Sequence, residues 1–255
     1  MISRSQVKYI NSLKIGKFRN ISHTFIAEGP KLFNEILNSD LEIKSIFALG
    51  SWLQDNEKVL GQLESHEVNE QELKKISTLS TPNQVLFIVK IPEFDFDQDD
   101  LNNNLVLALH DIRDPGNLGT IIRTADWFGI NQIICSKECV DIYHPKVIQA
   151  TMGSIARIKL QRVNLTDLLE QFAQGVSVYG ASPEGKNIYQ ERLPANGIIL
   201  IGNESHGIAA HLNKYINKHL SIPSGGSVTE SLNAGIATAI IVSEFRRQNA
   251  RVNQK

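Results

Sequence analysis

Hydrophobic and polar positions along this chain follow two rhythms, and the pattern changes near residue 92. Before that point, short β-rich runs, TFIAEG (24–29), KSIFALG (44–50) and QVLFIVK (84–90), alternate with helical spacing in KLFNEILN (31–38) and over about 52–63. That alternation predicts a small α/β domain over residues 1–92. The stretch IPEFDFDQDDLNNN (91–104) gathers five acids and then three Asn, and reads as a linker at 93–104.

Beyond the linker the alternation is more regular. Apolar strands LVLALHD (105–111), QIICS (132–136), IKLQRV (158–163), VSVYGAS, GIILIGN and HLSIP are separated by helical patterns at 117–128, 145–152 and 165–173, with a last helix from about 229 to 247. Continuous apolar strands between helices imply a parallel sheet covered on both faces, with ligands at the carboxyl ends of its strands. The expected fold is therefore α/β, with a small N-terminal α/β domain and a parallel-sheet α/β domain over 105–255.

Composition excludes several classes. The chain has 255 residues and 42% hydrophobic content, enough for real cores. The longest apolar run, in 232–242, is broken by Asn233 and Gly235, so no membrane span is expected. The start, MISRSQVKYINSLK, is too polar for a signal peptide, which makes the cytoplasm the expected location. The two cysteines, Cys135 and Cys139, rule out a disulfide scaffold and make a poor metal site; no metal is expected.

A net charge of −1 argues against nucleic acid, but its distribution argues differently. Residues 1–31 carry Arg4, Lys8, Lys14, Lys17, Arg19 and Lys31 against the single acid Glu28, and the tail adds Arg246, Arg247, Arg251 and Lys255 against Glu244. Such local patches either contact phosphates or are ordinary solvated helix faces.

Three segments carry candidate chemistry, each at a strand-to-helix junction where backbone groups are free for a ligand. In HDIRDPGNLGTIIRTADWFG (110–129), Asn117 is a good N-cap. Leu118, Ile121, Ile122 and Ala125 form a buried stripe, and Arg123 falls off it beside Thr120 and Trp127. In LIGNESHGI (200–208), Gly202 permits close approach to a ligand, Gly207 opens the next helix, and Glu204 suits a helix N-terminus. In IPSGGSVTESLNAGIATAI (222–240), Ser231-Leu232-Asn233 starts a helix so apolar that almost every face must be buried. A fourth segment, GASPEGKN (180–187), nearly matches a phosphate loop, but Asn187 replaces the Ser or Thr that would hold magnesium and Pro183 breaks the loop.

In this order, the three segments resemble the signature motifs of the SpoU/TrmH family of RNA ribose 2′-O-methyltransferases, in the SPOUT superfamily. The resemblance is sharpest over 103–245, and Ser205 stands where many members have Gly. It implies a deep trefoil knot in the second domain, an RNA-binding N-terminal domain, a homodimer, and S-adenosylmethionine (S-adenosyl-L-methionine) as cofactor. It also implies that Asn117 shapes the catalytic pocket, and that Arg123 lies beside the target ribose as base or electrostatic anchor. Gly202, Asn203, Ile222 and Leu232 match cofactor-binding positions; Glu204, Ser231 and Asn233 match polar site residues.

The expected reaction is methyl transfer to a ribose 2′-OH in RNA, most simply ribosomal RNA given the extra basic domain. The alternatives are a transfer RNA methyltransferase, a non-catalytic RNA-binding or ribosome-assembly protein retaining the fold, and a nucleotide-dependent α/β enzyme acting on small molecules. Asn117, Arg123, Glu204 and Asn233 occurring together favour the enzyme.

Overall fold

The computed structural model describes residues 2–94, 98–172, 175–226 and 231–249, with the backbone alone at 98–100. Arg251, Lys255 and the expected start of the last helix at 229–230 lie outside the described residues. The chain divides into two compact units, Met1–Glu93 with Asp141–Arg157, and Phe94–Val140 with Ile158–Lys255.

The first unit begins with α1 (Arg4–Ser12) and α2 (Gly16–Ser22), followed by β1 (Thr24–Glu28), α3 (Pro30–Leu37), β2 (Ile43–Ala48), α4 (Gly50–Leu60), β3 (Ser65–Glu67), α5 (Glu70–Ile76) and β4 (Val85–Lys90). Helices α1 and α5 both start with capping boxes, Ser3 with Gln6 and Asn69 with Glu72. The strands form a sheet in the order β1-β4-β2-β3, antiparallel except for the β2–β3 pair. Alternation along each strand splits its residues between two faces. Ile26, Phe47, Leu86 and Ile88 pack with Ile10 and Leu13 beside α1 and with Leu73 and Ile76 of α5. Phe87 meets Phe33 of α3 edge-on, and Phe33 meets Trp52 of α4 in the same way.

The second unit holds α6 (Gln98–Asn103), β5 (Leu105–Leu109), α7 (Pro115–Trp127) and β6 (Gln132–Ser136). After β6 the chain makes the excursion containing α8 (Pro145–Thr151), which belongs to the first unit. It returns through β7 (Lys159–Val163), α9 (Leu165–Phe172), β8 (Val178–Asn187), β9 (Gly197–Ile201), β10 (Lys218–Ser221) and α10 (Ala234–Asn249). Six strands in the order β10-β8-β9-β5-β6-β7 pair in parallel throughout. Val106, Ala108, Ile134, Val178, Ile198 and Leu200 face α9 on one side. On the other, Tyr179 meets Phe245 of α10 with ring centroids 5.2 Å apart. Arg246 of α10 donates to the carbonyls of Phe128 and Gly129, closing the carboxyl end of α7. Among the described residues no helix is long and apolar enough to cross a membrane.

The structure differs from the sequence expectation in three places. The acidic stretch read as linker contains α6, because Leu101 is fully buried in the core of the second unit. Residues 141–157, expected in the second domain, pack with the first: Tyr143 stacks on Phe25 at 4.9 Å, and α8 lies on β1. Arg19 and Lys14 are not free to meet an external phosphate. Lys14 Nζ donates to the Ser77 carbonyl, and Arg19 is 1% exposed.

Arg19 donates twice to Asp141 Oδ2, at 2.5 and 3.1 Å, and once to the Leu13 carbonyl at 2.7 Å. Removing one partner of a buried pair strands the other. Arg19→Met is therefore expected to cost about 2–4 kcal/mol, the lower part of the range reflecting the partial exposure of Asp141. The loss in Arg19→Met/Asp141→Asn should be smaller than the sum of the two singles. Urea denaturation checks this, and simple additivity would show that the pair does not hold the excursion.

Candidate active site

The site grows from the carboxyl ends of β5, β9 and β10. After β5 the chain turns at Asp111, whose φ of 55° is left-handed and whose main-chain N–H donates to Ser136 Oγ at 3.1 Å. Asp114 then caps α7 by accepting the Asn117 N–H at 2.8 Å, with Pro115 opening the helix. This corrects the expectation that Asn117 is the cap. Relieved of that task, the Asn117 side chain projects from the first turn.

Both ends of its amide are engaged. Nδ2 donates to Glu204 Oε1 at 2.5 Å, and Oδ1 accepts from Asn233 Nδ2 at 2.7 Å. Ser231 Oγ lies 3.4 Å from the Glu204 carbonyl, to which it donates. Asn117, Glu204, Ser231 and Asn233, drawn from three separate segments, thus meet in one network. The second oxygen of Glu204, Oε2, makes no hydrogen bond among the described residues.

The loop after β9 is built to present Glu204. Asn203 and Gly207 exchange main-chain hydrogen bonds at 3.0 and 2.9 Å, closing a tight turn. Asn203 Oδ1 accepts from the N–H groups of Ser205 and His206, while its Nδ2 donates to the Asp111 carbonyl at 2.9 Å. The turn is therefore pinned to the β5 end by the Asn203 side chain. Gly207 does not open a helix; its φ of 65° serves the turn, and the next element is a 3-10 stretch at Ala210–Tyr215. A Cβ on Gly202 would come within 2.3 Å of the Gly207 carbonyl carbon, so what approaches Gly202 closely is the loop's own backbone.

The third segment reaches the network through Asn233. Its Oδ1 accepts from the N–H groups of Gly235 and Ile236 at 2.9 and 3.2 Å, which caps α10, while its Nδ2 serves Asn117. Gly235 sits where a Cβ would press on Thr120 at 3.0 Å, so α10 and α7 pack closely just beside the network. The main-chain groups of Ile222 and Leu232 enter none of the loop hydrogen bonds formed by the described residues. With the half-buried Ile222 side chain, they offer the donors, acceptors and apolar contact that an adenine ring takes, so the residues present fit S-adenosylmethionine.

Arg123 stands apart from the network. It is exposed on α7, between Thr120 and the 85% exposed Trp127, and makes no hydrogen bond or ion pair among the described residues. Ile236 of α10 is 53% exposed, so that helix is not buried on every face, and Leu232 just before it is 44% exposed. Sequence reasoning missed Asp111, whose left-handed turn has no sequence signal, and Asp114. The latter was legible as an Asp preceding Pro at a helix start.

Residues 104–243 match the model of the SpoU rRNA Methylase family, more than half of the chain. The chain belongs to the SpoU rRNA methylase family. Residues 4–86 match an MRM3-like substrate binding domain. The chain is 31% identical over 247 residues to the 23S rRNA (guanosine(2553)-2′-O)-methyltransferase of Bacillus subtilis, covering 94% of this chain and 96% of that protein. It is similar to the solved structure of a TrmH-family protein from Porphyromonas gingivalis, at 36% identity and a TM-score of 0.88, covering 97% and 99% of the two chains. It is also similar to the AdoMet-bound rRNA methyltransferase of Sinorhizobium meliloti, at 32% identity and a TM-score of 0.84, covering 97% of each chain.

Within this SpoU family site the two glycines of the Glu204 loop are expected to behave differently. Gly202→Ala forces backbone against backbone and should destabilise by about 1–3 kcal/mol while abolishing cofactor binding. Gly207→Ala meets nothing within 4 Å and should cost only the left-handed strain, about 1 kcal/mol. Thermal melts and titration with S-adenosylmethionine separate the two; equal effects would contradict the packing assigned to Gly202.

Proposed function

We propose that this chain transfers the methyl group of S-adenosylmethionine to a ribose 2′-hydroxyl of 23S-type ribosomal RNA. The observation that carries the reading is the network of Asn117, Glu204, Ser231 and Asn233, which joins three distant segments. Gly202, Asn203, Ile222 and Leu232 would hold the cofactor, which when bound supplies an activated methyl group on a sulfonium.

The protein's own tasks are alignment and charge. Asn117, fixed at both ends, orients the Glu204 carboxylate, whose free Oε2 is available to take the hydroxyl proton. Arg123 keeps its proton in nearly all conditions, so its part is to hold phosphate and to stabilise alkoxide character on the 2′-oxygen. Proximity then supplies much of the rate, and no metal is needed.

The reading extends to assembly, place and topology. The apolar side chains Trp127 on α7, Leu232 before α10 and Ile236 within it are exposed, and we assign them to a homodimer contact. The second domain is read as carrying the deep trefoil knot, residues 1–92 as the RNA-binding domain, and the cytoplasm as the site of action, with ribosomal RNA.

Mapping ribose methylation across total RNA with and without the gene tests the activity; an unchanged map would refute it. Arg123→Ala is expected to leave stability within about 0.5 kcal/mol, because the side chain is exposed and unpaired. Methyl transfer should fall roughly a hundredfold or more. Arg123→Lys, which keeps charge but loses the bidentate fork, should retain weak activity. Full activity in the alanine variant would remove Arg123 from the mechanism and leave Glu204 and Asn233.

A further inference from the structure

The first unit carries an exposed apolar stripe that its own packing does not use. Ile15, Phe18 and Ile21 follow one another at helical spacing at and within α2 and are 55%, 40% and 66% exposed. The neighbouring Arg19 is buried and bonds the Leu13 carbonyl, so α2 packs on the unit through that edge while Ile15, Phe18 and Ile21 stay in solvent. Tyr9 of α1, 41% exposed, joins the same face. Its hydroxyl bonds Thr24 Oγ1 at 3.0 Å, Thr24 Oγ1 bonds Ser22 Oγ at 2.8 Å, and Ser22 Oγ donates to the Phe18 carbonyl. That chain of contacts sets the tyrosine ring beside the last turn of α2.

Charge decides what covers the stripe. Arg4, Lys8 and Lys17 are exposed and make no ion pair among the described residues, and no Asp or Glu occurs before Glu28. The acids of this region are spent internally. Glu28 accepts from Ser77 and Thr78, Asp141 from Arg19, and Glu72 from the N–H groups of Ile2 and Asn69. A surface of flat or apolar side chains ringed by unpaired cations complements a strand that offers base faces and phosphates together. A protein partner would satisfy the apolar residues and leave the cations unanswered.

We infer that Tyr9, Ile15, Phe18 and Ile21, with Lys8 and Lys17, form the platform on which unpaired bases of the RNA substrate stack. The inference rests on the RNA methyltransferase reading and adds to it where, and by what chemistry, the substrate is held. Two of the six cations of residues 1–31, Lys14 and Arg19, are structural, so stacking rather than charge alone supplies the contact.

The test uses the full chain and deproteinised large-subunit ribosomal RNA from a strain lacking the gene. Phe18→Ala/Ile21→Ser changes exposed positions and is expected to leave the melting temperature and S-adenosylmethionine affinity unchanged. RNA affinity should weaken about tenfold or more, because stacking is lost, with an unaltered salt dependence. Lys8→Gln/Lys17→Gln should instead reduce the slope of log affinity against log salt by about 1.4, two single-strand phosphate contacts. If the apolar variant binds this RNA as tightly as the parent, the platform is refuted and the stripe belongs to a protein partner. If the parent itself neither binds nor methylates the RNA, the functional reading falls and the platform with it.

Discussion

One side-chain amide holds the candidate site together. Asn117 donates to Glu204 and accepts from Asn233, and through these two bonds the ends of β5 and β9 and the entry to α10 become one site. An amide used at both ends cannot rotate without losing a bond, so its orientation is set by its partners. The arrangement depends on Asp114 taking the cap of α7, since an Asn117 committed to capping would have no reach toward Glu204. Asn233 resolves the same conflict within one residue, with its oxygen capping α10 and its nitrogen serving the network.

Backbone packing supplies the rigidity that the amide network needs. The Glu204 turn is closed by Asn203 and Gly207, lies against Gly202, and is tied by Asn203 to the Asp111 carbonyl. Gly235 allows α10 to close on Thr120, and Arg246 fastens the far end of the same helix to the carbonyls of Phe128 and Gly129, just past α7. The residues that touch ligand in the proposed reaction are therefore held by others that do not. Such support is what keeps a polar constellation in productive geometry.

Much of this was legible in the sequence because it obeys local rules. The central strands β5, β6 and β9 read as apolar runs since both faces are buried, and the alternation of strands with helices placed the three motifs at the carboxyl ends of strands. Asn117, Glu204, Ser231 and Asn233 were legible as members of those motifs, but their mutual bonds were not, because they join residues as many as 116 positions apart. What failed did so for tertiary reasons. Leu101 drew an acidic linker into a helix, Asp141 recruited Arg19 from a patch that looked free, and the return of residues 141–157 to the first unit has no local signature.

The most direct test of the central claim is a double-mutant cycle between Asn117→Ala and Asn233→Ala, read as kcat/KM for methyl transfer to large-subunit ribosomal RNA. If the two residues act through one shared hydrogen bond, the double variant should lose little more than the worse single, with a coupling energy well above the roughly 0.3–0.5 kcal/mol scatter of independent sites. Losses that simply add would show that the two asparagines contribute separately, and the account of a single amide-centred site would be wrong.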